Sequence, residues 1–163
     1  MCVIAVAKNT PLNEKQIDAM WEANAYGAGV AWREKDTKGK VLVRWEKGLE
    51  LAQVQDLVPK IPLPYVAHFR IPSVGGDIAA LTHPFSIDKA ASTALTGKTG
   101  GRVLFHNGHW NNWKTLLLET ASKRGDLPTG KWSDSRAMAY LAHAIGLGVL
   151  ELIDEKVVAF GPN

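Results

Sequence analysis

The chain has 163 residues, 46% hydrophobic and 21% charged, with a net charge of +3 and a pI near 9.0; this length buries a sizeable core as one domain over 1–163, and the apolar fraction excludes a disordered chain. The cationic residues are scattered, with no basic block and no stripe of interleaved aromatics, so nucleic acid is not an expected partner. No run approaches the roughly 20 apolar residues that span a bilayer, and no basic flank precedes an apolar N-terminal run, so the expectation is a cytoplasmic protein without membrane attachment.

Residues 3–7 form a short apolar, β-branched run and predict a buried first strand. Asn13-Glu14-Lys15-Gln16 has the form of a capping box. Ile17, Met20, Trp21 and Asn24 follow at three- and four-residue spacing, which predicts a short helix with one apolar face. It stops in Tyr26-Gly27-Ala28-Gly29, where glycine permits a turn or a close backbone approach. Residues 30–34 and 41–46 predict a hairpin, joined by a polar link that contains Gly39. A helix over 51–58 ends before Pro59, and Pro62 and Pro64 introduce a strand at 65–70. Residues 71–101 are rich in Gly, Ser, Thr, Ala and Pro and read as mostly loop, with one helical hint at 87–94. A loop of that length inside a compact domain is often functional. A strand at 102–105 ends at His106-Asn107-Gly108. A helix covers 113–123 and closes at Arg124-Gly125. Ser133 is placed to cap a helix across 137–145, residues 146–152 add a helical turn or two, and 156–160 form a last strand. This mixture, with short links between neighbouring strands, predicts layered α+β packing rather than a doubly wound parallel sheet.

One cysteine is present, so no internal disulfide forms. Cys2 directly follows Met1, and removal of Met before a small residue would put a free α-amine on the residue that carries the thiol. The plain alternative is a buried strand cysteine, since Cys packs as a small hydrophobe. An amine with a pKa of about 7.7–8.0 serves as the base for such a thiol. No histidine is then required, and the five histidines show no spacing that singles out a partner.

Acyl transfer also needs donors for the oxyanion. The Asn107 side-chain amide and the Gly108 N–H supply two. An Asn-Gly turn is the competing reading, but Trp110-Asn111-Asn112-Trp113 follows rather than a matching strand. The guanidinium fork of Arg70 suits a carboxylate, with a surface or salt-bridged arginine as its alternative. Asp134 suits an ammonium, with helix capping as its alternative. His106 and His109 are three apart without a third ligand, so neither a metal nor another cofactor is expected. No phosphate-loop glycine pattern appears.

Taken in order, Met1-Cys2, Gly27-Ala28-Gly29, Ala67-His68-Phe69-Arg70, Thr82-His83-Pro84, His106-Asn107-Gly108 and Ser133-Asp134-Ser135 resemble the class II glutamine amidotransferase domain of the N-terminal-nucleophile hydrolase superfamily. These markers run from residue 2 to 135. The resemblance implies a four-layer αββα sandwich with two facing antiparallel sheets. It implies that Cys2 attacks the glutamine side-chain amide, forms a thioester and releases ammonia, after which water releases glutamate. Asn107 and Gly108 would form the oxyanion hole, Arg70 would hold the substrate carboxylate and Asp134 its ammonium, with Ser73 and Gly75 lining the pocket. No synthase or ATP-binding unit is visible, which implies an acceptor protein acting in trans.

The chain departs from the family after the arginine. Members often carry Trp, Ala, Thr, His and Gly there, against Ile71-Pro72-Ser73-Val74-Gly75. Ser73 can replace the threonine hydroxyl, whereas Val74 cannot hydrogen-bond. Two alternatives therefore stay open: an amidase for another γ-glutamyl or acyl amide, and a catalytically silent binding module that keeps the fold, with Trp110 and Trp113 at an interface. Retention of Met1 would favour the last. The single late strand before Asn163 leaves three expectations for the second sheet: a compact variant, a truncated chain or completion by a partner.

Overall fold

The computed structural model describes residues 2–71, 76 and 78–163. Strand β1 (Val3–Ala7) lies at the edge of its sheet and is buried only at Ala7, not throughout as expected; it leads to helix α1 (Glu14–Ala23), whose start is fixed by the capping box. Asn13 Oδ1 accepts from Gln16 N at 3.0 Å and Gln16 Oε1 accepts from Asn13 N at 3.0 Å. Strands β2 (Ala28–Lys35) and β3 (Val41–Leu49) form the expected hairpin. Helix α2 (Leu51–Leu57) tightens into a 3-10 turn at Val58–Lys60 before β4 (Tyr65–Phe69).

After Ala79–Leu81, another 3-10 turn, come two short strands, β5 (Phe85–Ser86) and β6 (Thr96–Thr99). Strand β7 (Val103–Asn107) is followed by α3 (Trp113–Arg124), which closes on Gly125 at φ 71°. Helix α4 (Asp134–Ile145) begins where Ser133 Oγ accepts from Arg136 N at 3.2 Å. The 3-10 turn at Leu147–Leu152 precedes β8 (Lys156–Phe160). Among the described residues no helix is long and apolar enough to cross a membrane.

The protein is α+β with two antiparallel sheets, one ordered β1-β4-β2-β3-β6 and the other β5-β7-β8. Strand alternation divides the core into three clusters. Ala28, Val30, Trp32, Tyr65, Ala67 and Phe69 leave one face of the larger sheet and pack with Ile17 of α1 and Val54 of α2. From its opposite face Ala31, Val43, Trp45 and Val66 meet Val103 and Phe105 of the smaller sheet. On the far side of that sheet, Phe85 and Leu104 pack with α3 and α4, Leu117 and Leu141 among them.

The described part of 71–101 is mostly loop, as expected, interrupted by the turn at Ala79–Leu81 and by β5 and β6. Strand β6 pairs with β3 although its sequence, Thr-Gly-Lys-Thr, has no apolar alternation. Gly97 is needed there, because a Cβ would lie 2.2 Å from the Trp45 ring. The helical hint at 87–94 is not a helix. Asp88 Oδ1 accepts from Ala90 N at 2.9 Å and Ala91 N at 3.0 Å, and Ala91 takes φ 40°. The carbonyls of Ala90 and Ala91 accept instead from the Arg136 guanidinium at 3.2 and 3.0 Å. A side-chain turn and a distant arginine have displaced the helical ladder.

Candidate active site

Cys2 enters the site through the register of β1. Ile4 lies opposite His68 of β4, and Val3 opposite Phe69, so continuing the ladder by one residue sets Cys2 beside Arg70. Cys2, Ile4 and Val6 share the strand face that looks towards the second sheet. The thiol is half-buried and held by the chain across from it: Ile71 N donates to Sγ at 3.4 Å, and Sγ lies 3.5 Å from Ile71 O.

The same face carries a row of residues across four strands. Ile4 pairs with His68, His68 with Gly29, and Gly29 with Lys47. Gly29 leaves a gap in that row, and the backbone of His83 occupies it: a Cβ on Gly29 would lie 1.7 Å from His83 O. This seats the His83 ring 4.2 Å from the His68 ring and 6.4 Å from that of His106, centroid to centroid.

All three histidines are buried. Neither ring nitrogen of His68 or of His83 has a hydrogen-bond partner among the described residues. Burial pushes His68 down to about 3, the nearby His106 backbone only partly opposing it. Burial and then the neighbouring His68 hold His83 well below the ordinary histidine value. Both rings are therefore neutral near pH 7. Lys47, at the end of the row, is buried and has no ion pair with a carboxylate among the described residues. Its Nζ donates to Pro84 O at 3.0 Å and Ser92 O at 3.1 Å and lies 4.2 Å from the Phe85 ring centroid. Burial, reinforced by Arg136, lowers it to about 7.

Strand β7 and the start of α4 supply the opposite wall. His106 Nδ1 lies 2.9 Å from Ser135 Oγ and 3.9 Å from Asp134 Oδ2. Burial lowers His106 below its ordinary value, against the pull of Asp134. The Asp134 carboxylate is buried and accepts from neutral donors: Ser135 N at 2.8 Å, Ser135 Oγ at 3.4 Å and Trp110 N at 3.2 Å. Ser133 is the cap of α4, so capping does not account for Asp134. A buried carboxylate lining a cavity beside a histidine of lowered pKa is suited to a cationic ligand.

Cys2, Arg70, Gly108 and Asp134 line one small cavity together with His83 and His106. Its volume is about 20 Å³, room for roughly one water. The Arg70 guanidinium donates to Ile78 O at 3.1 Å and to Gly76 O, so it is anchored at the cavity wall. Asn107 is not among the residues lining this cavity; with Cys2 it lines a separate, larger cleft of about 580 Å³. Its Oδ1 is buried and has no hydrogen-bond partner among the described residues. Ser73 and Gly75 lie outside the described residues, as does Met1.

Sequence reasoning passed over two features. His68 and His83 sit inside quoted motifs, but nothing in their spacing shows that strand pairing stacks one on the other. Glu155 carried no signal at all. It reaches from the start of β8 across Gly108, where a Cβ would lie 1.8 Å from Glu155 Oε2, and its Oε1 accepts from His109 N at 3.1 Å. Among the described residues no group of three His, Cys, Asp or Glu is placed to hold a metal ion. The chain matches no protein-family model and no curated protein sequence.

Proposed function

We propose that the protein is an amidohydrolase of the glutamine amidotransferase type, with Cys2 as the N-terminal nucleophile. The observation that carries this reading is the convergence of Cys2, Arg70, Gly108 and Asp134 on one cavity, from positions far apart in the chain. The three core clusters, helix against sheet, sheet against sheet and sheet against helix, favour a four-layer αββα sandwich of the N-terminal-nucleophile kind.

The chemistry follows from the groups present. Once Met1 is removed, the α-amine of Cys2 takes the thiol proton. The thiolate attacks the γ-carbonyl carbon, and the oxyanion receives the Asn107 amide and the Gly108 N–H. Collapse expels ammonia, which leaves with the proton held by the amine. Water then attacks the thioester and releases glutamate. Arg70 pairs with the substrate α-carboxylate and Asp134 with its α-ammonium, each a charge-assisted contact. The cavity is too small for the glutamyl group while Ile71 holds the thiol, so binding must move the Ile71 backbone away from Sγ. The ammonia is passed to an acceptor protein in trans, in a reducing cytoplasm that keeps Cys2 free.

The test is the intact mass of the purified protein before and after treatment with diazo-oxo-norleucine, with Cys2→Ala as control. Loss of Met1 and a single adduct that depends on Cys2 are the expected result. Retained Met1 without an adduct would overturn the reading in favour of a catalytically silent binding module.

A further inference from the structure

We propose that the cleft between the edges of the two sheets is a leaving-group site. The preferred substrate is then a γ-glutamyl amide whose nitrogen carries an aliphatic substituent. This rests on the reading of Cys2 as a glutamyl-directed nucleophile and changes the released group: a primary alkylamine in place of ammonia, with glutamine the poorer substrate of the same site.

Cys2 borders two separate spaces. On one side is the polar cavity of Arg70 and Asp134. On the other is a cleft of about 580 Å³, walled by Val3, Ile4 and Val6 of β1 and by Lys156, Val157 and Val158 of β8. Each of these strands is the last in its sheet. The cleft therefore lies along two open sheet edges, with the nucleophile at one end. Asn107 borders the cleft and Gly108 the cavity. The two oxyanion donors thus straddle the boundary at which an amide bond would be cut.

A nucleophile at such a junction divides its substrate. The acyl part lies with the groups that recognise it, and whatever the nitrogen carries lies in the other space. Ammonia needs no more room than a water, about 30 Å³, and this cleft is many times larger. Its volume falls in the range of small-ligand sites, about 300–1,000 Å³. Valine and isoleucine walls do not reward a small hydrated ion. They do reward an alkyl chain, in proportion to the apolar surface it buries.

Glu155 adds a polar contact at the right end. It borders the cleft, and its carboxylate lies over Gly108, beside the oxyanion site. The reaction balances without a further reagent. Thiolate attack forms the C–S bond, collapse of the oxyanion breaks the C–N bond, and the amine departs with the thiol proton carried by the Cys2 amine. In water the freed amine takes up a further proton, and the resulting ammonium passes the Glu155 carboxylate. Water then cleaves the thioester to glutamate.

The experiment compares kcat/KM for glutamine and γ-glutamyl-n-butylamide in the wild-type protein and in Val6→Trp. Val6 is 47% exposed on the cleft wall and takes no part in the chemistry, whereas an indole there fills the space. The wild-type protein should prefer the butylamide by about 10-fold or more, since one methylene in an apolar pocket is worth at least about that. In Val6→Trp the preference should fall to near one, with glutamine turnover and Cys2 labelling by diazo-oxo-norleucine unchanged. Equal wild-type rates, a preference for glutamine, or a preference that survives Val6→Trp would overturn the leaving-group site while leaving the nucleophile intact. If Cys2 takes no label and neither amide is cleaved, both readings fall. Should Val6→Trp not fold, the wild-type comparison decides alone.

Discussion

Gly29 stands directly beneath the backbone of His83, where a methyl group would lie 1.7 Å from the carbonyl oxygen. The absent Cβ lets the second sheet's approach segment settle onto the first, and it brings His83 to both His68 and His106. Gly108 is also overlain, but by the flexible end of Glu155 rather than by backbone. The two glycines should therefore respond differently to the same change. Gly29→Ala should lose about 1–3 kcal/mol of stability, the usual cost of overpacking a core. Gly108→Ala should lose less, because Glu155 can swing away, yet lose labelling of Cys2. Urea unfolding beside mass-detected labelling checks both, and an unperturbed Gly29→Ala would refute the packing argument.

Substitution of Asn107 tests catalysis apart from stability. Its Oδ1 is buried without a partner among the described residues, so truncation removes an already unsatisfied acceptor. Asn107→Ala should leave the urea midpoint nearly unchanged and lower kcat about 100- to 1,000-fold, the cost of one oxyanion donor. A small effect on kcat would remove Asn107 from the oxyanion hole.

Asp134→Asn keeps the shape of the carboxylate and deletes its charge. If Asp134 receives the substrate ammonium, the loss is a charge-assisted bond of about 1.5–3 kcal/mol. The glutamine KM should then rise roughly 10- to 100-fold, with kcat much less affected. Steady-state kinetics on folded variant decide it, and an unchanged KM would assign Asp134 to scaffolding of Trp110 and Ser135 alone.

The histidine pair makes the fold acid-sensitive. In the folded protein His68 titrates at about 3 and His83 well below its ordinary value, whereas both ionise near 6.5 when unfolded. The unfolded chain binds more protons between these limits, so stability is full above about 6.5 and falls as the pH drops towards 3. The slope approaches about 1.4 kcal/mol per pH unit for each histidine. Urea midpoints at several pH values between 7.5 and 4.5 should show it, with a shallower slope in His68→Gln. An identical slope in that variant would mean that His68 is not a source.

Lys47 acts in a higher window. Its folded value of about 7 lies below the ordinary 10.5, so the unfolded state again binds more protons between the two. Below pH 7 the fold carries a buried charge, and stability rises as the pH climbs from about 7 towards 10.5. The wild-type protein should gain stability between pH 7 and 9.5, and Lys47→Met should abolish that gain whatever its offset. A flat wild-type profile would contradict the depressed value.

Much of this was legible in the sequence because it is local. The strand at Val3–Ala7, the Asn13–Gln16 capping box, the β2–β3 hairpin, the Gly125 stop of α3 and the Ser133 cap of α4 each depend on residues a few positions apart. The motif order also singled out Cys2, Arg70, Asn107, Gly108 and Asp134. Other features depend on meetings between distant segments, which no window of sequence contains. The hint at 87–94 failed because Arg136 takes the carbonyls of Ala90 and Ala91. Strand β6 went unseen because its order comes from β3 and from the Trp45 ring over Gly97. The His68–His83 contact is created by a cross-strand row and the missing Cβ of Gly29, and Glu155 reaches Gly108 only because β8 pairs with β7. Side-chain pattern and capping determine where elements begin and end. Register and close backbone approach, which are tertiary quantities, decide which buried groups face Cys2.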